Sequence, residues 1–315
     1  MIKSMFSGVS GLRSHQSKMD VIGNNIANVN TFGFKAARAT FKESIYQTKS
    51  SSSDASTTFG GRNAAQVGYG SQIGAIDLLF TAGSYAPTDS PTDVMIDGQG
   101  LFMVGRLDAS GTAGGQIDNP KGGTNSKIAS LELTRVGDFK FDGAGYLVDS
   151  NGMIVYGVVN ERAQDKFDPG DAEVAKLRPI RIQKADGSYD ATGQDPRLNV
   201  TSISIGADGT ISGIDDKNNP VTIAKIAIAN VPNSNALEKS QGPYYKIKKN
   251  AGVVEAFLAG KGGTGQLMSN GLEMANVDLA REFSEMITTQ RGFQANTRII
   301  TVSDQMLEDL MSIKR

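Results

Sequence analysis

Apolar residues keep one period at the two ends of the chain and another in its middle. Near the start, Ile2, Met5, Val9, Leu12, Met19 and Ile26 recur at alternating steps of three and four, with Gln16 and Gly23 filling the vacant places. That spacing predicts a helix with one apolar seam. Near the end, Leu279, Phe283, Met286, Phe293, Ile300, Leu307 and Met311 trace a second seam, widened by Ile287, Ile299, Met306 and Leu310. Asn276 is the expected N-cap, Asp278 the first-turn acid, and Lys314 and Arg315 the cations that complement the C-terminal dipole. A helix over 277–313 would be about 55 Å long at ~1.5 Å per residue.

Between the ends the period falls to two and turn residues punctuate it. Residues 139–141, 146–148 and 153–156 read as a meander with tight turns at 142–145 and 149–152. A second meander follows over 202–205, 210–212 and 221–229, and residues 73–79 and 93–104 add further strands. The pattern predicts an α+β fold: long N- and C-terminal helices, each with a coiled-coil seam, and a central antiparallel β-rich domain. Three polar stretches, 48–58, 108–126 and 164–196, are expected as surface loops.

Charge and composition narrow the function. The 32 Lys and Arg nearly balance 33 Asp and Glu, so no basic surplus exists to neutralise a phosphate backbone, and nucleic acid is a poor partner. The absence of cysteine excludes disulfides, thiolate metal sites and a cysteine nucleophile. Residues 1–20 are broken by Lys3, Arg13, His15, Lys18 and Asp20, which is not the pattern of a cleaved secretory signal, and no apolar run is long enough to insert in a membrane. Taken alone, these features point to the cytoplasm.

Catalytic chemistry finds no foothold. His15 is the only histidine and lies inside a predicted helix. Residues 149–152 begin like a calcium loop but run straight into an apolar strand without the closing Glu, so a type I′ turn explains them better. Gly68-Tyr69-Gly70 and Gly98-Gln99-Gly100 lack the third glycine of a dinucleotide fingerprint and are expected in hairpin turns or bulges. No catalytic residue, cofactor or metal is expected. Two helices of this length, even if paired with each other, would leave apolar surface for a partner, and identical subunits stacked helically would supply one.

The end segments carry a specific resemblance. Asp20-Val21-Ile22-Gly23-Asn24-Asn25-Ile26-Ala27-Asn28-Val29-Asn30-Thr31, followed by Gly33-Phe34-Lys35, closely resembles the N-terminal signature of the flagellar rod and hook protein family. Gly271-Leu272-Glu273-Met274-Ala275-Asn276-Val277-Asp278-Leu279, then Gln290-Arg291-Gly292-Phe293-Gln294-Ala295-Asn296 and Ser303-Asp304-Gln305-Met306-Leu307, resembles its C-terminal signature. Asp97-Gly98-Gln99-Gly100-Leu101-Phe102 and Thr134-Arg135-Val136-Gly137-Asp138-Phe139 extend the likeness to the centre.

The resemblance implies that the terminal helices form a coiled-coil layer, giving a terminal helical coiled-coil domain over 1–30 and 275–315, a connecting segment over 31–75 and an outer β-rich domain over 76–274. It implies a homopolymer, a helical tube, exported through the flagellar type III apparatus to the outside of the cell without a cleaved signal, which reverses the cytoplasmic reading. Its further partners would be a hook cap during assembly and the rod and hook-filament junction proteins. The wording of 20–35 and 48–70 looks most like short hook proteins of Gram-positive bacteria, with the distal rod subunit as alternative and a secreted β-rich hydrolase or adhesin as the competitor from another class. Subunit assembly is expected to fall on Met5, Val9, Leu12, Met19, Asn24, Asn25, Ile26, Asn28, Gly33, Phe34, Phe283, Met286, Phe293, Ile300, Leu307 and Met311. The asparagine amides would bond backbone near a helix end, Gly33 would permit a conformation that a β-carbon hinders, and Phe34 would anchor the connecting segment.

Overall fold

A computed structural model describes residues 2–54, 60–106, 117–118, 131–159, 176–182, 200–215 and 218–313. Lys314 and Arg315 lie outside the described residues, and so do the expected loops at 108–126 and 164–196 apart from 117–118 and 176–182, which hold short strands at 117–118 and 176–179. The chain divides into two compact units, Met1–Val29 with Ala36–Leu79 and Val277–Arg315, and Asn30–Lys35 with Phe80–Asn276.

Unit 1 holds α1 (Ile2–Ala27), β1 (Ala37–Glu43), β2 (Tyr46–Ser50), β3 (Ala65–Gly68), β4 (Ser71–Leu78) and α2 (Leu279–Ile313). β1 pairs antiparallel with β4 and β2 with β3. The Ser44 N–H bonds Gly70 O and the Tyr69 N–H bonds Ile45 O, so the two ladders join into one two-stranded ribbon. Helix α1 lies along it: Ser10 Oγ donates to Tyr69 O at 3.3 Å and Ser14 Oγ to Ser71 O at 3.1 Å. Helix α2 is capped by Asp278, whose Oδ1 accepts the Ala280 and Arg281 N–H groups, while the expected cap, Asn276, turns its amide to Thr81.

The two helices exist where the seams place them, but no coiled-coil layer forms between them, which corrects the expected fold class. They run antiparallel, with Gly8 opposite Ile300, Gly11 opposite Asn296, His15 opposite Gly292 and Asn25 opposite Glu282. Every α1 residue on this line directly precedes a seam position, so the helix is rotated by about 100°, one residue, away from seam-to-seam packing. The cause is side-chain size. A β-carbon on Gly11 would stand 2.8 Å from Asn296 Nδ2, and one on Gly292 would stand 2.7 Å from His15 Cε1. Small and polar residues let the backbones approach where knobs of leucine size would hold them apart. The protein is two terminal helices with a large antiparallel β body.

Unit 2 is that body. Its strands are β5 (Tyr85–Pro87), β6 (Val94–Asp97), β7 (Leu101–Gly105), β8 (Ile117–Asp118), β9 (Glu132–Thr134), β10 (Phe139–Phe141), β11 (Leu147–Asp149), β12 (Ile154–Val159), β13 (Lys176–Pro179), β14 (Val200–Ile205), β15 (Thr210–Asp215), β16 (Pro220–Asn230), β17 (Glu238–Lys239), β18 (Tyr244–Lys246), β19 (Glu255–Leu258), β20 (Gln266–Ser269) and β21 (Gly271–Glu273). The main sheet runs in the order β10-β11-β12-β16-β7-β9-β18-β17, and β14 and β15 extend from β16. Phe102, Phe139, Leu147, Val155, Ile226 and Ile228 are buried at its centre. Both predicted meanders are present. Their turns are not type I′: the Gly145 N–H returns to Asp142 O and the Gly152 N–H to Asp149 O, each with only the glycine at positive φ, +76° and +78°. This is a type I turn closed by a left-handed glycine. Asp149 Oδ1 also accepts the Asn151 and Met153 N–H groups, which gives the carboxylate of the calcium-like sequence a turn role.

Candidate assembly surface

Rotation of the helix pair decides which residues unit 1 leaves uncovered. Along α1 the buried positions are Gly8, Gly11, Ser14, Ile22 and Asn25, and along α2 they are Thr289 and Ser303. The seam stands to one side. Met5, Leu12, Met19 and Ile26 are half-buried and Val9 is exposed. On α2, Met286, Phe293, Ile300 and Leu307 are half-buried, whereas Phe283 is exposed and Met311 is 76% exposed. Gly23, which occupies a seam position, faces open space. Of the expected seam contacts, the structure brings Ile300 against α1, at Gly8. An apolar stripe of this extent, partly open to water, is the kind of surface that marks interaction sites. The ribbon adds to it, since β2 is exposed throughout and Ile45 is 77% exposed.

One ion pair crosses the helix contact. Lys18 Nζ lies 3.2 Å from Glu285 Oε2 and 5.8 Å from the centre of the Phe41 ring. His15 packs edge-on against Phe41, at 5.6 Å between ring centres, and its Nδ1 is buried without a hydrogen-bond partner among the described residues. Burial first, and then the nearby Lys18 ammonium, hold its pKa below the ordinary histidine value.

The asparagine-rich signature ends α1. Asn25, 1% exposed, donates its amide to Ala37 O at 2.9 Å and Glu282 Oε1 at 3.1 Å and accepts the Ala37 N–H at 3.0 Å, tying α1 to β1 and α2 at once. Asn28 Nδ2 donates to Asn24 O at 2.9 Å and so satisfies one of the last helical carbonyls, while Asn24 is exposed and takes part through its backbone.

Gly33 and Phe34 belong to unit 2. Gly33 has φ +67°, and a β-carbon there would meet the Val136 N at 2.9 Å, so both conformation and space require glycine. Phe34 is half-buried beneath the Lys239 ammonium, 4.3 Å from the ring centre.

Around them is a cluster that sequence reasoning assigned no role. Glu273 Oε1 accepts from Lys35 Nζ at 2.7 Å and from the Gly83 N–H at 2.7 Å, Oε2 accepts from Arg135 Nε, and the Glu273 carbonyl accepts the Gly33 N–H. The Lys35 and Glu273 side chains are 1% and 0% exposed. Arg135 spends its remaining donors on the carbonyls of Gly100, Ile96 and Gly98, and Lys35 on that of Thr81. Burial alone would raise the pKa of Glu273. Arg135 and Lys35 outweigh it and hold the carboxyl below the usual range. One carboxylate thus joins segments far apart in sequence. The available signal was that Lys35, Arg135 and Glu273 all lie inside the recognised motifs.

Comparison with known proteins places the chain. Residues 5–35 match the family described as flagella basal body rod protein, residues 116–213 the flagellar hook protein FlgE/F/G D1 domain, and residues 268–313 the flagellar basal body rod FlgEFG protein C-terminal family. The flagellar basal-body rod protein FlgG of Bacillus subtilis (strain 168) is 38% identical over 316 residues, covering 100% of both chains. FlgG of Borreliella burgdorferi is 30% identical over 317 residues, again across 100% of both. The flagellar hook protein FlgE of that organism is 26% identical over 464 residues, with 100% of each chain covered.

Proposed function

The chain belongs to the flagellar rod and hook protein family, and from that premise we propose that it is a distal rod subunit, a stiff member of the flagellar drive shaft. Members are structural, non-enzymatic components of the basal body and hook, outside the membrane, and polymerise within the axial structure. The expected hook assignment has the weaker support, and the alternative named beside it the stronger. The rod protein is 38% identical against 26% for the hook protein, and its 316-position alignment leaves almost no rod position without a counterpart among the 315 residues here, whereas the hook alignment runs to 464. A centre without the hook protein's additional positions is the observation that carries the reading.

The assembly residues fit this role through the exposed stripe of α1 and α2, which identical neighbours would cover in a heterologous, non-closing array. Asn25 and Asn28 would fix the end of α1 in that array, and Gly33 and Phe34 the start of unit 2. On this reading the partners are copies of the chain, other axial proteins at the ends of the tube, and the type III export apparatus. Negative-stain electron microscopy of the concentrated full-length chain tests it. Straight, rigid tubes are expected, curved ones would return the assignment to a hook subunit, and no polymer under any condition would remove both.

A further inference from the structure

A groove of about 430 Å³ runs between α1 and β4 in unit 1, lined by Phe6, Val9, Arg13, Ser14, Gln72 and Ile73 among others. We propose that it receives the last turns of α2 from a second copy of this chain, with Arg13 of the groove pairing with Asp309 of the incoming helix. The proposal rests on the reading of the chain as a polymerising subunit and names the contact.

The groove asks for an occupant that is both apolar and acidic. Of its hydroxyls, Ser10 donates to Tyr69 O, Ser14 to Ser71 O and Ser17 to Arg13 O, and beside them the groove carries the apolar Phe6, Val9 and Ile73 and the cation of Arg13. Phe6 is 63% exposed on that rim, and Arg13 makes no ion pair among the described residues. The end of α2 offers the complement. Met306, Leu310 and Ile313 follow at steps of four and three and so share a face, all three exposed, with Ile313 at 80%. Asp309 sits beside that face, exposed and likewise without an ion pair among the described residues.

One subunit cannot satisfy both. The antiparallel register puts Arg13 opposite the stretch between Gly292 and Asn296, about 20 Å from Asp309 at ~1.5 Å per residue. Groove and helix end are different patches of one unit, so their union is head-to-tail and propagates as a helix. The charge pair would set the register while the apolar face supplies the contact.

A charge swap tests the pairing by sedimentation of full-length chain. Arg13→Glu and Asp309→Arg are each expected to raise the critical concentration for polymerisation about tenfold, and the double variant to restore it. Single variants that polymerise like the parent, or a double variant as poor as the singles, overturn the proposal while leaving polymerisation itself intact. Failure of the unsubstituted chain to polymerise overturns the underlying reading and the proposal with it. Because the chain has no cysteine, a Val9→Cys, Leu310→Cys variant gives a second measurement that does not depend on the charges. Disulfide-linked ladders between copies under mild oxidant are expected, and their absence in otherwise normal polymer counts against the contact.

Discussion

The two units use apolar residues in opposite ways. In unit 2, large side chains such as Phe102, Phe139 and Ile228 are wholly buried. In unit 1, Ile22 and Ala36 are the buried apolar residues among those described, while Phe6, Phe283, Ile287, Val302 and Met311 stand in the open. Inward residues of unit 2 meet across paired strands and close a core. Apart from Ile22, the inward residues of the helix pair are glycine, serine, threonine and asparagine, which hold helices together by proximity and hydrogen bonds and bury little apolar area. A body built the first way closes its own core, and one built the second way leaves apolar surface for a partner.

The comparison can be broken most forcefully at Glu273. Replacing it by Ala would leave Lys35 and Arg135 buried without a counter-charge, a loss of about 3–5 kcal/mol, read as a lower denaturant midpoint for the β unit with the helices unaffected. Next come the glycines of the helix contact. Gly11→Leu and Gly292→Val force Asn296 and His15 aside and are expected to cost the helix pair about 1–3 kcal/mol, seen as loss of helical circular dichroism on mild heating while the β unit stays folded.

A smaller effect belongs to His15. Burial and Lys18 keep its folded pKa below 6.5, so the unfolded chain takes up the proton first as pH falls. The stability held by neutral His15 is therefore complete above about pH 6.5 and drains away below it. The imidazole resonances, single because the chain has one histidine, should titrate below that value, and His15→Gln should flatten the acid slope of helix stability. The smallest effect has the sharpest sign. Gly23→Ala meets nothing and should stabilise α1 by about 0.5–1 kcal/mol, whereas Gly23→Phe, bulkier on the open seam, should leave the monomer folded and impair polymerisation in a sedimentation assay.

Period and turn chemistry made much of this legible. Both helices, both meanders and the family were readable because each depends on spacing within a few dozen residues. The orientation of the helix pair was not. A seam of Met, Val, Leu and Ile announces that a face will be buried, but not by whom, and here Gly8, Gly11 and Gly292 win the contact within the subunit by letting backbones approach. Asn276 lost the cap to Asp278 for a similar reason, a tertiary bond to Thr81. Glu273 escaped because its partners lie 238 and 138 residues away, a coincidence that only the fold creates. The choice of hook over rod came from wording at the ends, whereas identity along the whole chain and the hook protein's additional positions favour the rod.

The central claim is that unit 1 completes itself only in the polymer. Hydrogen exchange on dilute monomer and on assembled tubes tests it directly. Strands of unit 2 such as β12 and β16 should be protected equally in both, while amides of α1 and α2 should exchange quickly in the monomer and become strongly protected in the tube. Strong protection of both helices in the dilute monomer, unchanged on assembly, would contradict it.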